Sequence, residues 1–162
     1  MATNWVDGYY PDSKNPKSIQ EGLEFQDFII DLLCSELGLA LSNYSSRKWQ
    51  FDVGENKQGI EIKLDNGILK YGNVSVEVAE KSRASNAKWV DSGILRKDNT
   101  WLYIQGNKEI VFIFAKRILL GLYNSGKYKV TEFPRTNPTI KRFLMPVDDA
   151  RKYCAKVFDL RN

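Results

Sequence analysis

Regular alternation of apolar and polar residues is the feature that most limits how this chain can fold. In the range 59–64, isoleucine and leucine side chains alternate with Glu61 and Lys63. Side chains on a β-strand point alternately to opposite faces, whereas the apolar positions of a helix recur every three or four residues. The range therefore predicts a strand with Glu61 and Lys63 together on its polar face.

Two flanking ranges alternate in the same way. The range 49–53 places Asp52 opposite its apolar neighbours, and the range 74–78 does the same for Glu77. Turn residues separate these ranges from the strand at 59–64, so the three predicted strands have short connections. We therefore expect an antiparallel meander that gathers Asp52, Glu77 and the polar face of the middle strand.

The length and charge of the chain fit a single folded domain. Its 162 residues are enough to bury a core without disulfides, and its net charge of +4 leans towards an anionic partner. We expect an irregular arm over residues 1–17 and one domain over 18–162. Two cysteines, and no apolar leader or membrane-span window, predict a cytoplasmic protein that contacts no membrane.

The chain contains no histidine, which excludes several kinds of catalytic site. Serine and cysteine hydrolases that use an imidazole base, histidine-metal nucleases and histidine-ligated zinc sites are all ruled out. Any catalysis must depend on carboxylates, lysine, hydroxyl groups, thiols or bound water.

The remaining periodicity predicts an α+β or mixed α/β fold. A helix over 18–38 is expected to begin with a capping box formed by Ser18 and Glu21. Further along, the sequence predicts these elements: a short helix within 88–95, strands at 100–105, 109–114 and 127–131, a helix at 115–123, a loop over 132–142 and a C-terminal helix from 146.

Carboxylates on neighbouring strands are suitable ligands for Mg²⁺, which binds a few carboxylates and keeps several waters. Asp52 and Glu61 would bind the ion, with Mn²⁺ as a substitute, and the backbone carbonyl of Ile62 would add a third oxygen. Lys63 would lower the pKa of an attacking water or stabilise the pentavalent phosphorus. Glu77 would hold a second ion. The sequence thus favours phosphodiester hydrolysis.

Glu21 is a further candidate ligand because it lies near the edge of the apolar stripe of the first helix. The alternative is that Glu21 completes the capping box and does nothing else. An alternative also exists for Glu61 and Lys63, since a sheet with one wet face carries charged cross-strand partners as a matter of course.

Asp52, followed by Glu61-Ile62-Lys63 in a predicted hairpin after a helix, resembles the PD-(D/E)XK nuclease superfamily. The resemblance covers roughly residues 18–124. It departs from the family motif at Phe51, which stands before Asp52 where the motif has a proline. It implies a restriction-endonuclease-like fold, in which helices flank a mixed central β-sheet, and a Mg²⁺-dependent endonuclease activity. Asp52 and Glu61 would be the metal ligands and Lys63 the catalytic lysine. Glu21 and Glu77 match acids that some members carry on the first helix and the third strand.

The expected partner is DNA, either a specific duplex site or a branched junction. Cutting both strands of a duplex would require a homodimer. The predicted phosphate contacts are the basic residues that follow Glu77, with Trp89 and Trp101 as candidates for stacking on bases or, alternatively, as core or groove-wall residues. These basic residues are Lys81, Arg83, Lys88, Arg96 and Lys97. The alternative functions are a nucleic-acid-binding module without catalysis and a non-enzymatic interaction protein that binds neither DNA nor metal.

Overall fold

The structure is a computed structural model that describes residues 16–133 and 138–161. Its described part is a mixed α+β protein, as expected from the sequence. In chain order its elements are α1 (Pro16–Leu37), α2 (Arg47–Asp52), β1 (Ile60–Leu64), α3 (Ile68–Tyr71), β2 (Asn73–Lys81), β3 (Val90–Asp91), a 3₁₀ turn (Gly93–Leu95), β4 (Leu102–Gly106), β5 (Ile110–Ala115), α4 (Lys116–Asn124), β6 (Val130–Phe133), β7 (Thr139–Pro146), α5 (Val147–Tyr153) and β8 (Lys156–Asp159).

The strands form two four-stranded sheets. In the first sheet the order is β1-β4-β5-β8, and β1 pairs with β4 in parallel while the other pairs are antiparallel. In the second sheet the order is β3-β2-β7-β6, and every pair is antiparallel. Because β1 is an edge strand of the first sheet, one side of its backbone is left for groups outside the sheet.

Helix α1 covers one face of the first sheet. Phe25, Ile29 and Leu33 recur at helical spacing and are buried against Ile60 and Ile62 of β1. Because Ile60 and Ile62 point towards α1, the pleat of the strand turns Glu61 and Lys63 to the opposite face.

A second core lies between the two sheets. Val74, Val76 and Val78 of β2 are buried with Phe112 and Phe114 of β5. Strand β5 also contributes Val111 and Ile113 to the core under α1, so residues 110–114 are buried on both faces. A continuous apolar run of this kind is expected of a central strand that is covered on both sides.

Several sequence predictions are confirmed. The helix expected over 18–38 is α1, and those expected at 115–123 and from 146 are α4 and α5. The strands expected at 59–65, 73–79, 100–105 and 109–114 correspond to β1, β2, β4 and β5, whereas the strand expected at 127–131 overlaps β6 only at residues 130–131.

Other predictions are wrong. The meander does not form, because β1 pairs in parallel with β4 and β2 belongs to the other sheet. The range 49–53 is mostly helical. The expected loop over 132–142 includes the end of β6 and the first half of β7, which pair with each other. The range 88–95 forms β3 and a 3₁₀ turn instead of an α-helix, and β8 was not expected at all.

Two expectations concern the ends of the chain and membranes. The predicted irregular arm falls on residues 1–15, which lie outside the described residues, and on Pro16 and Lys17, which are already helical. Over the ranges 16–133 and 138–161, every helix is too short or too polar to cross a membrane.

Candidate active site

Glu61 and Lys63 form an ion pair on the face of β1 that points away from α1. The Nζ atom of Lys63 lies 2.9 Å from Oε1 of Glu61. The Glu61 side chain is almost fully buried, whereas 38% of the Lys63 side chain is exposed. The prediction that these two residues share the polar face of one strand is therefore confirmed, and the ion pair reaches solvent at Lys63.

Glu55 approaches this ion pair from the loop before β1. Its Oε2 atom accepts a hydrogen bond of 3.0 Å from the backbone N–H of Ile62. The neighbouring Asn56 accepts a similar bond, 2.8 Å long, from the N–H of Ile60. These side chains satisfy the free edge of β1, which would otherwise leave its N–H groups unpaired. Docking on the strand edge brings the Glu55 carboxylate beside Glu61.

Burial and the nearby charge of Glu61 shift the pKa of the Glu55 carboxyl group strongly. Burial raises the pKa of Glu55 to about 8, and the negative charge of Glu61 adds to this shift. Lys63, the N–H of Ile62 and Arg96 oppose it. At neutral pH the Glu55 carboxyl group is therefore mostly protonated.

Lys63 has the opposite character. The negative charge of Glu61 raises the pKa of the Lys63 ammonium well above its usual value, although burial acts against this. Glu77 and Glu55 raise this pKa further. Lys63 is therefore a permanent positive charge at neutral pH and cannot serve as a general base.

Glu77 and Glu80 extend the negative charge along β2. Oε1 of Glu77 accepts a hydrogen bond of 2.5 Å from the hydroxyl of Ser92. Burial raises the pKa of Glu80, and the charge of Glu77 contributes to this shift. Ser92 precedes the 3₁₀ turn, whose Gly93 approaches the backbone of Glu77 so closely that an added Cβ would lie 2.2 Å from its carbonyl oxygen.

Asp52 does not occupy the predicted position. It is the exposed last residue of α2, and it borders a surface groove with Lys97 and Asn99. Helix α2 forms because Ser46 caps it, accepting a bond of 3.4 Å from the N–H of Trp49. The acid that approaches Glu61 is therefore Glu55.

Glu21 is also elsewhere. It forms a 3.8 Å ion pair with Lys17 on α1 and lines a cavity with Leu64 and Asn107, at the carboxyl end of β1. The expected capping box does not form, because Ser18 lies inside α1, which already includes Pro16. Neither the predicted metal-ligand role of Glu21 nor that of the Ile62 carbonyl acquires a supporting contact among the described residues.

The predicted nucleic-acid contacts differ in how far they are exposed to solvent. Arg83, Lys88 and Lys97 are exposed. In contrast, Arg96 is half-buried and donates a 2.8 Å bond to the carbonyl of Gln50, so it serves the fold. Lys81 occupies an intermediate position, since its Nζ donates to the carbonyl of Asn86 at 2.9 Å.

Trp89 is not a free stacking surface. The Nζ atom of Lys81 lies 4.8 Å from the centroid of its ring, and that of Lys141 lies 4.3 Å from it. The half-buried indole also packs against the core between the sheets. Cation–π contacts of this kind fix the two lysines in place.

Sequence reasoning missed Glu55 and Tyr103. Glu55 stands in a Gly-Glu-Asn triplet whose composition indicates a turn, and only the edge of β1 gives its carboxylate a partner. Tyr103 lies directly opposite Glu61 in the parallel β1–β4 pairing, about 40 residues further along the chain, at a range that no local pattern can detect.

Over residues 16–133 and 138–161, the structure holds no group of three acidic, cysteine or histidine side chains placed to enclose a metal ion. Glu55 and Glu61 are a pair of carboxylates rather than a full cage. This is a small ligand set, of the kind that suits an ion that keeps most of its waters.

Comparisons with protein-family models, with curated proteins and with solved structures find no match to this chain.

Proposed function

We propose that this protein is a Mg²⁺-dependent DNA endonuclease of the PD-(D/E)XK type with a restriction-endonuclease-like fold. The observation that carries the proposal is the acidic cluster, by which we mean Glu55, Glu61, Glu77 and Lys63. It combines two neighbouring carboxylates, a permanently charged ammonium group and an opening to solvent at the edge of a sheet.

The cluster suits a divalent cation because its three acidic side chains outnumber its one ammonium, and one of the three, Glu55, is mostly protonated at neutral pH without a counter-ion. Burial, and after it the negative charge of Glu61, raises the pKa of Glu55, so the site accommodates a charged Glu55 poorly without a counter-ion. Glu55 and Glu61 would hold Mg²⁺, with Mn²⁺ as a substitute, and the Ile62 carbonyl is a further candidate oxygen. When bound, the ion would activate water and offset charge on the phosphate.

Lys63 supplies a fixed positive charge to the site in this proposal. Its side chain is 38% exposed, whereas that of Glu61 is almost fully buried, so Lys63 lies on the side from which a phosphate would enter. During hydrolysis the oxygen of water bonds to phosphorus and releases a proton to the solvent, one ester P–O bond breaks, and the leaving oxygen takes up a proton from the solvent. Lys63 would stabilise the extra negative charge that builds on the phosphate oxygens.

Glu77 would support the site from the neighbouring strand. Its charge acts on Lys63, and its own carboxylate is oriented by the hydroxyl of Ser92. In the sequence Glu77 was a candidate for a second ion. The structure favours the simpler role of holding Lys63 protonated and correctly placed.

DNA would reach the cluster along the basic segment that follows β2. Residues 82–88 are exposed and include Arg83 and Lys88, and they begin immediately after the strand that carries Glu77. Phosphate contacts from such residues provide affinity without reading sequence. Lys97 borders the surface groove that also contains Asp52, and it would extend the same contact.

A single cluster per chain would cut one strand. Cleavage of both strands of a duplex would then need two copies related by a twofold axis, so the proposal includes a homodimer on duplex DNA. Double-strand breaks that appear without a nicked intermediate would support the dimer. Accumulation of nicked circles would support a monomer acting on one strand.

The direct experiment is incubation of supercoiled plasmid with the protein in Mg²⁺, in Mn²⁺ and in EDTA. We expect nicking or linearisation with either metal, none in EDTA, and strong impairment of Lys63→Met. Salt-dependent DNA binding with no cleavage under any metal condition would reject the nuclease and favour a non-catalytic nucleic-acid-binding module.

A further inference from the structure

The side chain of Tyr103 projects from β4 onto the face that carries the acidic cluster. Tyr103 is paired in register with Glu61, and neighbouring residues of a parallel pair point to the same face. Only 3% of Tyr103 is exposed. The long ring carries its hydroxyl away from the backbone, in the direction that Glu61 and Lys63 also take.

The Tyr103 hydroxyl has no hydrogen-bond partner among the described residues, although it is buried. Buried polar atoms are nearly always paired, and an unpaired one requires an explanation, such as an ordered water, an ion or a catalytic role. Strand pairing explains why a large residue stands at this position, but an apolar phenylalanine would fill the same space without leaving a polar atom unpaired.

Tyr103 belongs to the buried core between the two sheets and lies within electrostatic range of Glu61 and Lys63. Burial raises the pKa of its hydroxyl, and Glu61, Asp98 and Glu77 raise it further while Lys63 lowers it. The hydroxyl therefore remains protonated and neutral. It can donate one hydrogen bond and accept others, but it cannot act as an acid or a base at neutral pH.

We propose that the Tyr103 hydroxyl hydrogen-bonds the attacking water and orients its lone pair towards the phosphorus. Because Tyr103 is almost fully buried, a partner of its hydroxyl must be small, and a water meets this requirement better than a whole phosphate group. This inference rests on the proposed nuclease function. Tyr103 is a positioning residue, and no proton leaves it during the reaction.

The test is Tyr103→Phe, with Tyr71→Phe as a matched control. Tyr71 is 67% exposed on α3, so the loss of its hydroxyl should change nothing. Three quantities are measured: the thermal midpoint of the metal-free protein, the affinity for duplex DNA in Ca²⁺, and the single-turnover cleavage rate in Mg²⁺.

For Tyr103→Phe we expect a thermal midpoint equal to or above that of wild type, because the hydroxyl has no protein partner to lose. DNA affinity should stay within about twofold of wild type, and the cleavage rate should fall about 10- to 100-fold, because misplacing a reacting group costs rate rather than binding. A merely structural role would instead lower the thermal midpoint.

A cleavage rate within about twofold of wild type would overturn the role of Tyr103 and leave the nuclease function standing. A lower thermal midpoint for the metal-free variant would also overturn it, since the hydroxyl would then have a protein partner. If wild type itself fails to cleave with either metal, the nuclease function is rejected, and the role of Tyr103 is rejected with it.

Discussion

Oε2 of Glu55 accepts a hydrogen bond of 3.0 Å from the backbone N–H of Ile62. This bond places a loop carboxylate at the free edge of β1, beside the carboxylate of Glu61. In the described part of the chain, the Ile62 N–H has no strand partner on this edge, so it is free to bond Glu55 and to orient the Glu55 carboxylate towards Glu61.

The first prediction separates Glu55 from Asp52 as the partner of Glu61. Glu55→Gln should lower Mg²⁺-dependent nicking by at least about 10- to 100-fold, the usual cost of losing even an outer metal partner. Asp52→Asn should retain nearly full activity, because Asp52 is exposed on α2. Initial nicking rates on supercoiled plasmid measure both. Loss of activity in Asp52→Asn with retention in Glu55→Gln would reverse the assignment.

The second prediction concerns the dependence of stability on pH. The pKa of Glu55 is raised to about 8, so the folded state holds this proton more tightly than the unfolded state. The contribution of Glu55 to the free energy of unfolding is therefore full below its unfolded pKa of about 4.5. It is lost as the pH rises from there towards about 8.

Glu55→Gln removes this titration. The metal-free variant should match wild type at about pH 5 and exceed it at about pH 8.5, with a gain of about 2–4 °C in thermal midpoint per kcal/mol. Glu36→Gln, on an exposed part of α1, is the control and should show no pH-dependent gap. A gap that is equal at both pH values would contradict the raised pKa.

The third prediction tests whether Lys63 acts by charge. Lys63→Met should lower the single-turnover cleavage rate by about 10²- to 10³-fold, the size seen when one transition-state charge partner is removed. Lys63→Arg keeps a positive charge and should retain a measurable part of the activity. Since Glu61 keeps the ammonium protonated, we expect no role for Lys63 as a base. Equal inactivity of the two variants at every pH would argue against a charge role.

The fourth prediction concerns the close approach of Gly93 to Glu77. Gly93 has a φ of +50°, and an added Cβ would lie 2.2 Å from the carbonyl oxygen of Glu77. Gly93→Ala should therefore cost about 1–3 kcal/mol, measured by urea unfolding, through strain at a position that favours glycine. Gly121→Ala is the control: Gly121 lies in α4 with no atom near its would-be Cβ. That variant should be neutral or stabilised by about 1 kcal/mol.

The parts of the site that the sequence revealed depend on local spacing. Alternation at 60–64 predicted that Glu61 and Lys63 share one face, and the ion pair between them follows from that spacing alone. The same rule failed at 49–53, because Ser46 caps a helical turn there and the local bond from Trp49 outweighs a short alternating pattern. Short apolar patterns of this kind are compatible with either a helix or a strand, and a helix-capping residue can favour the helix.

The rest of the site depends on pairings that no local signal encodes. The parallel partner of β1 is β4, which begins after α3, β2 and β3 have intervened, so the position of Tyr103 opposite Glu61 is a tertiary result. The place of Glu55 likewise follows from β1 being an edge strand. A hairpin was the simplest prediction because sequential strands usually pair, and here the chain moves to the second sheet instead.

The last prediction tests the exposed basic segment that follows Glu77. Lys88→Ala should weaken DNA binding measured in Ca²⁺ and reduce the slope of log affinity against log salt by about one, the amount expected for one lost phosphate contact. Its thermal midpoint should be unchanged, because Lys88 is exposed. The control is Lys17→Ala on α1, which covers the opposite face of the first sheet and pairs with Glu21 only at the surface. This control should leave the slope as in wild type. An equal loss of slope in both variants would indicate diffuse attraction to a basic protein, and the DNA path past Glu77 would have to be abandoned.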